Sequence, residues 1–480
     1  MKAKYIFLVV VIAVLCMGKA NARIMPAIQK TELLKKDKSA LNEHLSEYVT
    51  FTMDKRALID SLHKNGRCQF QIHIDEQRNW TFDLQLNDMR APDYRQTYIS
   101  DKGTFEYEPY IVNTFKGKTS NNQIARFTID KDNFFGIILD GKDYYVIRPA
   151  KDYTQNISDE SLIVYKSSDI ISENENANYI NDVLELSEDG MEQDMPMRGN
   201  TPCNYYLKIA TDADYEFFYD KMGSNLAATY SYIFSIMNLI EGVYENTFNM
   251  TFIVTYQNVW TTTSNGYPYT ATYYSTLLSQ LRNYWNSNMT GISRNIAHLF
   301  TGKLIVDVDG NLVGGVAYLG QISNPNVPIT NTTGYSITRH RGPEMYQTTA
   351  HEIGHNLNGG EISQMKPIPP ECLCNSNTAS VMCQGEKAAN LWFCQTSINQ
   401  ISPFLASKST LLTGSFPANL TLSGTVSGFN VYQATQKITS NQVINSGYTV
   451  YKAAEVELDN DFEVKLGAEF EIIIDDNGCP

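Results

Sequence analysis

The stretch His351-Glu352-Ile353-Gly354-His355-Asn356-Leu357-Asn358-Gly359-Gly360-Glu361 decides how this chain is read. Two histidines four residues apart on a helix project from one face, one turn above the other. Neutral imidazoles at that spacing reach a single zinc ion. Glu352, next to the first histidine, has its carboxylate where it can hold a water on that ion. Zinc lowers the pKa of such a water toward neutrality and polarises a carbonyl. The glutamate takes the proton and later delivers it to a leaving amine. The whole chain has only seven histidines, so two of them in this arrangement point to a metal site.

Outward from the motif, length and composition bound the rest. At 480 residues the chain exceeds one ordinary domain. A hydrophobic content of 42% is ample for packed cores, and 30 tyrosines suggest many strands. The net charge of −14 leaves little to neutralise phosphates, which excludes nucleic acid as a partner. A solvated acidic surface accounts for the charge.

The N-terminus reads as an export signal. Lys2 and Lys4 give a basic start, Ile6 to Met17 an apolar core, and Ala20-Asn21-Ala22 a small-residue cleavage site. The apolar run is short for a membrane anchor. A lipoprotein reading of Cys16 is disfavoured by Leu15, where a small residue belongs. No later stretch reaches transmembrane length. Four of the remaining cysteines, Cys372, Cys374, Cys383 and Cys394, crowd together after the histidine helix. In an oxidising compartment they read as disulfides, with a four-cysteine zinc knuckle as the competing reading. Cys68, Cys203 and Cys479 complete an odd total, so at least one thiol is left over.

Patterning divides the chain beyond the signal segment. Residues 23–155 open with a charged helical stretch, Thr31 to Ser46. Period-two segments come next, such as Phe70-Gln71-Ile72-His73-Ile74 and Trp80-Thr81-Phe82-Asp83-Leu84. This is a β-rich unit. Residues 156–200 are acidic and polar, an exposed linker with a plausible processing site after Arg198. From 201 to 408 strands and helices alternate. Tyr205 to Ala210, Phe252 to Val254, Leu304 to Val306 and Gly315 to Leu319 read as strands; Asn225 to Phe248 and Thr272 to Trp285 read as helices. That order argues an α/β (α+β) layer with a mixed sheet. Residues 409–480 repeat at an offset of 20, pairing Ala434 with Ala454, Ile438 with Leu458, Ile444 with Val464, Gly447 with Gly467 and Val450 with Phe470. Such a repeat implies a small β-solenoid-like module. It resembles C-terminal modules on secreted proteins of Bacteroidetes-type bacteria.

The histidine stretch resembles the elongated zinc helix of the metzincins, whose motif is HExxHxxGxxH. Its HEIGHNL opening is most similar to the reprolysin, ADAM-like or adamalysin, branch. Ala297 to Gly302 and Gly315 to Gly320 resemble that family's segments leading into the edge strand. Ser380-Val381-Met382-Cys383 stands where its Met-turn lies, and Phe393 to Ser397 resembles the helix beyond. Phe115-Lys116-Gly117 through Ile147-Arg148-Pro149 resembles the reprolysin propeptide. The likeness covers residues 70 to 405 patchily and is specific mainly between 297 and 397. It implies His351 and His355 as zinc ligands, Glu352 as general base and Met382 as the methionine beneath the metal. It also implies an edge strand at Gly315 to Leu319 that takes peptide substrate as an added antiparallel strand.

Two positions depart from the pattern. The family's turn glycine is Asn358, which tolerates the left-handed conformation. Its third ligand position is Glu361, and no histidine comes after His355. Glu361 is in register, with Glu371 and Glu386 as alternatives for a thermolysin-like ligand; carboxylates are legitimate zinc ligands. The resulting expectation is a secreted, zinc-dependent endopeptidase of bacterial type, made as a zymogen. Its substrates are proteins or peptides, with Zn2+ as cofactor and cell-surface association through the C-terminal module. The alternatives are a catalytically degenerate metzincin-fold binding protein, and an adhesin that works through its C-terminal module. The adhesin leaves the histidine helix unexplained.

Overall fold

The computed structural model describes residues 24–474 apart from 109–110, 132, 155–156, 158–159, 172–179, 185–204, 265, 377, 384–389 and 413–416. The expected signal segment, Arg198, Cys203, Glu386 and Cys479 lie outside the described residues. Among the described residues, no helix is long and apolar enough to cross a membrane.

The first part runs β1 (Ile28–Lys30), α1 (Lys35–Asn42), β2 (Val49–Met53), α2 (Arg56–Asn65), β3 (Arg67–His73), β4 (Asn79–Leu86), β5 (Arg90–Ser100) and β6 (Gly103–Glu106). It continues with β7 (Thr114–Thr119), β8 (Ile124–Ile129), β9 (Phe134–Asp140), β10 (Asp143–Pro149), β11 (Ser161–Lys166) and β12 (Ile180–Leu184). Nine of these strands make one antiparallel sheet in the order β1-β2-β11-β10-β9-β8-β7-β4-β3. Alternation in β3 and β4 puts Phe70, Ile72, Trp80, Phe82 and Leu84 into its core. The helix expected over Thr31 to Ser46 is shorter, because Thr31 is tied to Thr50 beside β2 and α1 ends in the turn at Glu43.

The second part supplies β13 (Tyr205–Ala213), α3 (Leu226–Phe248), β14 (Met250–Trp260), α4 (Tyr274–Asn288), β15 (Ile296–Thr301), β16 (Val313–Tyr318), β17 (Tyr335–Arg339), α5 (Met345–Asn356) and α6 (Gln395–Ser407). A mixed sheet orders them β12-β16-β17-β15-β13-β14-β5-β6. Leu304 to Val306 is not a strand: Leu304 is exposed and Val306 makes only isolated bridges. The strand before the edge is β15 instead. β5 and β6 come from the first part, and β5 runs parallel to β14 from Val254↔Arg90 to Trp260↔Ile99.

Helix α3 is long because both ends are closed. The Asn225 side chain accepts from the Ala228 N–H, and Asn249 turns left-handed at φ 52°. Ile233, Met237, Ile240 and Val243 are buried in a core that also holds Ile137, Tyr144 and Val146 of the first sheet and Ile353 of α5. Helix α4 covers the opposite face of the mixed sheet through Leu277, Leu281 and Trp285. Beyond α6, β18 (Asn419–Leu422), β19 (Thr425–Gln433), β20 (Lys437–Ser440), β21 (Val443–Ala453), β22 (Glu455–Leu458), β23 (Glu463–Val464) and β24 (Ala468–Ile474) stack in parallel. The offset of 20 is in register only where β21 meets β23, at Val443↔Glu463 and Ile444↔Val464. Elsewhere Ile438 pairs with Val456, Gly447 with Gly428 and Ala468, and Val450 with Val431 and Glu471.

Candidate metal centre

Helix α5 ends where the chain must reverse. The Gly359 N–H donates to the Gly354 carbonyl at 2.9 Å, and Asn358 stands at φ 72°, the conformation expected of an asparagine in place of the turn glycine. The reversal carries Glu361 back beneath the helix. Its Oε2 lies 3.2 Å from His351 Nε2 and 3.7 Å from His355 Nε2. One ligand atom from each of the three residues lies within 4.8 Å of the others, and all three side chains are buried.

The tautomers are set from behind. His351 Nδ1 is 2.7 Å from the Val381 carbonyl, and His355 Nδ1 is 2.7 Å from the Gly359 carbonyl. A carbonyl only accepts, so each Nδ1 donates and each Nε2 faces the shared space. His351 Nε2 faces the Glu361 carboxylate, and His355 Nε2 has no hydrogen-bond partner among the described residues. Ser363 donates to the other Glu361 oxygen at 2.6 Å. Two imidazoles and a carboxylate around a tetrahedral zinc sit roughly 3.3 Å apart, given bonds of about 2.0–2.1 Å. The residues therefore fit such an ion in type and in spacing. Their electrostatics agree. Burial disfavours charge on His351, but Glu361 beside it outweighs burial and lifts the imidazole to about 9. Burial also opposes the Glu361 charge, yet His351 holds the carboxyl below its usual range. Burial pushes His355 down to about 3.

Glu352 is fully buried on the same helix, with β16 behind it. At Gly315 an added Cβ would stand 2.5 Å from Glu352 Oε1, so this glycine makes the carboxylate's room. Met382 is fully buried beneath the helix, with its sulfur in the space a side chain at Gly354 would fill. Disulfides Cys372–Cys394 and Cys374–Cys383 brace this turn from both sides. The four cysteines thus form two bridges and no zinc knuckle. Cys68 is a free, buried thiol. Glu371 is exposed and accepts from Thr396, apart from the cluster.

The roles of three positions escaped the sequence reading. Asn356 Nδ2 donates to the Tyr318 carbonyl at 2.9 Å and the Tyr335 carbonyl at 3.0 Å, fixing the helix against β16 and β17. Tyr244 donates to the Ala350 carbonyl at 2.7 Å, tying α3 to α5. From the first part, the Tyr144 hydroxyl accepts from Gln347 Nε2 at 2.6 Å on α5. The HEIGHN run flagged position 356 without its role; nothing local flagged the two tyrosines.

Strand β16 pairs antiparallel with β17 on its inner side, Val316 opposite Ile337. On its outer side β12 lies parallel to it, from Ile180↔Val313 to Leu184↔Tyr318.

Residues 203–390 match the family Reprolysin_5, described as metallo-peptidase family M12. No curated protein matches the chain. Among solved structures, metalloproteinase-II from Bacteroides fragilis aligns over 73% of this chain and 94% of that chain, at 11% identity and a TM-score of 0.42.

Proposed function

We propose, from the premise that residues 203–390 are a reprolysin-like metzincin segment, that the chain is a secreted zinc-dependent endopeptidase made as a proenzyme. The observation that carries this is the convergence of His351 Nε2, His355 Nε2 and Glu361 Oε2 in one buried space. These three residues would hold the ion. Bound there, zinc supplies a Lewis acid that polarises a peptide carbonyl and makes a water acidic near neutral pH.

The rest of the chemistry belongs to the chain. Glu352 accepts the proton of the attacking water and passes it to the departing nitrogen. Its burial beside the site keeps that carboxylate out of bulk solvent and fixes its direction. Strand β16 offers its outer backbone to an extended peptide as an added antiparallel strand. Asn356 holds that strand in register with the zinc helix. The Val381 carbonyl seats His351, and Met382 packs against Gly354 of the same helix.

Export is supported by the basic and apolar first 22 residues and by the two disulfides. The proenzyme reading is supported by the acidic linker and by β12 on the strand that would take substrate. The mature N-terminus is expected between about Met191 and Cys203, with cleavage after Arg198. A degenerate, binding-only protein is the second reading, favoured by Glu361 in place of an imidazole. Chelation separates the two. Phenanthroline should abolish peptide hydrolysis by the processed protein, and added zinc should restore it. Processed, zinc-loaded protein that cleaves no denatured substrate would make the binding-only reading the right one.

A further inference from the structure

We propose that Ser363 is a positioning residue for the metal: its hydroxyl keeps back one oxygen of Glu361, so that the other, Oε2, is the single atom this carboxylate presents to the ion. This rests on the reading of His351, His355 and Glu361 as the ligand set.

A carboxylate in a place where the zinc-helix pattern has an imidazole raises a difficulty of its own. An imidazole bonded through one nitrogen offers a metal the other nitrogen and nothing else. A carboxylate has two equivalent oxygens, and its last torsion is broad and roughly two-fold. A glutamate with no further restraint swings either oxygen, or both, toward the ion. Both together would crowd the position that a catalytic zinc site keeps open beside its three protein ligands. A glutamate here therefore needs a group that tells its two oxygens apart.

The backbone does not supply that distinction, because it is already fixed. The Gly359 N–H donates to the Gly354 carbonyl at 2.9 Å, and the Gly360 N–H donates to Gln400 Oε1 of α6 at 3.0 Å. The Ile362 N–H donates to the Met382 carbonyl at 3.0 Å. What these anchors leave open is rotation within the Glu361 side chain. Residues Ile362–Gln364 then make one 3-10 turn, with the Met365 N–H on the Ile362 carbonyl at 3.1 Å. That turn folds the Ser363 hydroxyl back onto Glu361 Oε1 at 2.6 Å. Such a separation is typical of a hydroxyl donating to an ionised carboxylate. Oε2 is left 3.2 Å from His351 Nε2 and 3.7 Å from His355 Nε2. The two oxygens thus have different partners: a hydroxyl for one, the two ligand nitrogens for the other. Glu361 is 8% exposed, so solvent competes little for Oε1.

Zinc affinity of the full chain, read by competition with a chromophoric chelator, tests this. Ser363→Ala should weaken zinc about 10–100-fold, the usual effect of removing a partner that orients a ligand. Ser363→Thr keeps the hydroxyl and should restore wild-type affinity. In a Glu361→His background there is no second oxygen to hold back, so adding Ser363→Ala should change affinity little; the two substitutions should be non-additive. With cobalt(II) in place of zinc, Ser363→Ala should lose visible absorption, because a carboxylate free to present both oxygens raises the coordination number. Equal zinc affinity in wild type and Ser363→Ala overturns the proposal. So does an equal loss in the Glu361 and Glu361→His proteins, which would make Ser363 a support of the turn alone. If Glu361→His does not fold, the cobalt spectrum decides, and an unchanged spectrum in Ser363→Ala overturns the proposal. A folded wild type that takes up no zinc would instead sink the ligand reading itself.

Discussion

Replacing Gly315 with alanine should strike Glu352, the proposed general base, without touching the proposed metal ligands. The new Cβ would stand 2.5 Å from Glu352 Oε1, 2.6 Å from Cγ and 2.7 Å from Cδ. Ordinary contact between such atoms begins near 3.4 Å, so about 0.9 Å must be found at the nearest atom. Gly315 is locked in β16 by pairing with Thr338, so the strand cannot easily retreat. The Glu352 side chain moves instead. A displacement of about 1 Å in a catalytic group costs on the order of 10²-fold in rate, within the 10²–10⁴ that a general base contributes. We expect Gly315→Ala to lose about 100-fold in kcat/KM, mostly in kcat, with overpacking costing about 1–3 kcal/mol of stability. Zinc content should equal that of the wild type, because His351, His355 and Glu361 are not in its path. The assay is fluorogenic peptide hydrolysis after processing, beside metal analysis and a denaturant melt. A wild-type rate, or loss of zinc with the fold intact, would refute this account of Gly315.

Glu361→Gln should lose most bound zinc, while Glu361→His and Glu371→Gln keep it; full occupancy in Glu361→Gln would remove Glu361 from the ligand set. His298 is fully buried with its ring nitrogens 2.8 Å from Ser336 Oγ and 3.0 Å from Thr338 Oγ1, and burial pushes it down to about 3. The unfolded chain takes up a proton below about 6.5 that the folded state refuses, so this histidine's contribution to stability falls as pH drops from 6.5 toward 3. His340, pushed down to about 4 by burial, adds to the same trend. Asp212 and Asp214, raised by burial to about 6 and about 7, oppose it, since their contributions fall as pH rises. The difference between wild type and His298→Asn isolates the one group: the variant should lose less stability between pH 6.5 and 4, and parallel curves would contradict the assignment.

How far the sequence could be read depended on whether the signal was local. The HExxH spacing, the capped helix ending at Phe248 and the alternation in β3 and β4 are local patterns, and the structure has each of them. Strand β5 is not. Its eleven residues include Pro92 and show burial without a period of two, because one edge pairs β14 through a bulge and the other pairs β6. Nothing in residues 90–100 announces that they join a sheet formed more than a hundred residues later. Strand β17 hides for another reason. Ser336 and Thr338 are polar yet fully buried, because they bond His298 on the neighbouring strand. Leu304 to Val306 misleads in the opposite sense, being apolar in a loop with Leu304 in water. In the C-terminal stack a bulge between Val426 and Ser427 shifts the register, so a fixed offset of 20 tracks only part of it. At the candidate site, Glu361 was legible because the zinc-helix pattern numbers its position. Tyr244 was not, since its bond to Ala350 spans 106 residues.

Glu352 is proposed for proton transfer, and His351, His355 and Glu361 for the metal. The most direct test compares processed wild type with Glu352→Ala, measuring zinc content and casein hydrolysis on the same samples. Zinc should be equal in the two proteins and the hydrolysis rate lower by about 10²–10⁴ in the variant; equal hydrolysis by the two, or loss of zinc from a folded Glu352→Ala, would contradict these roles.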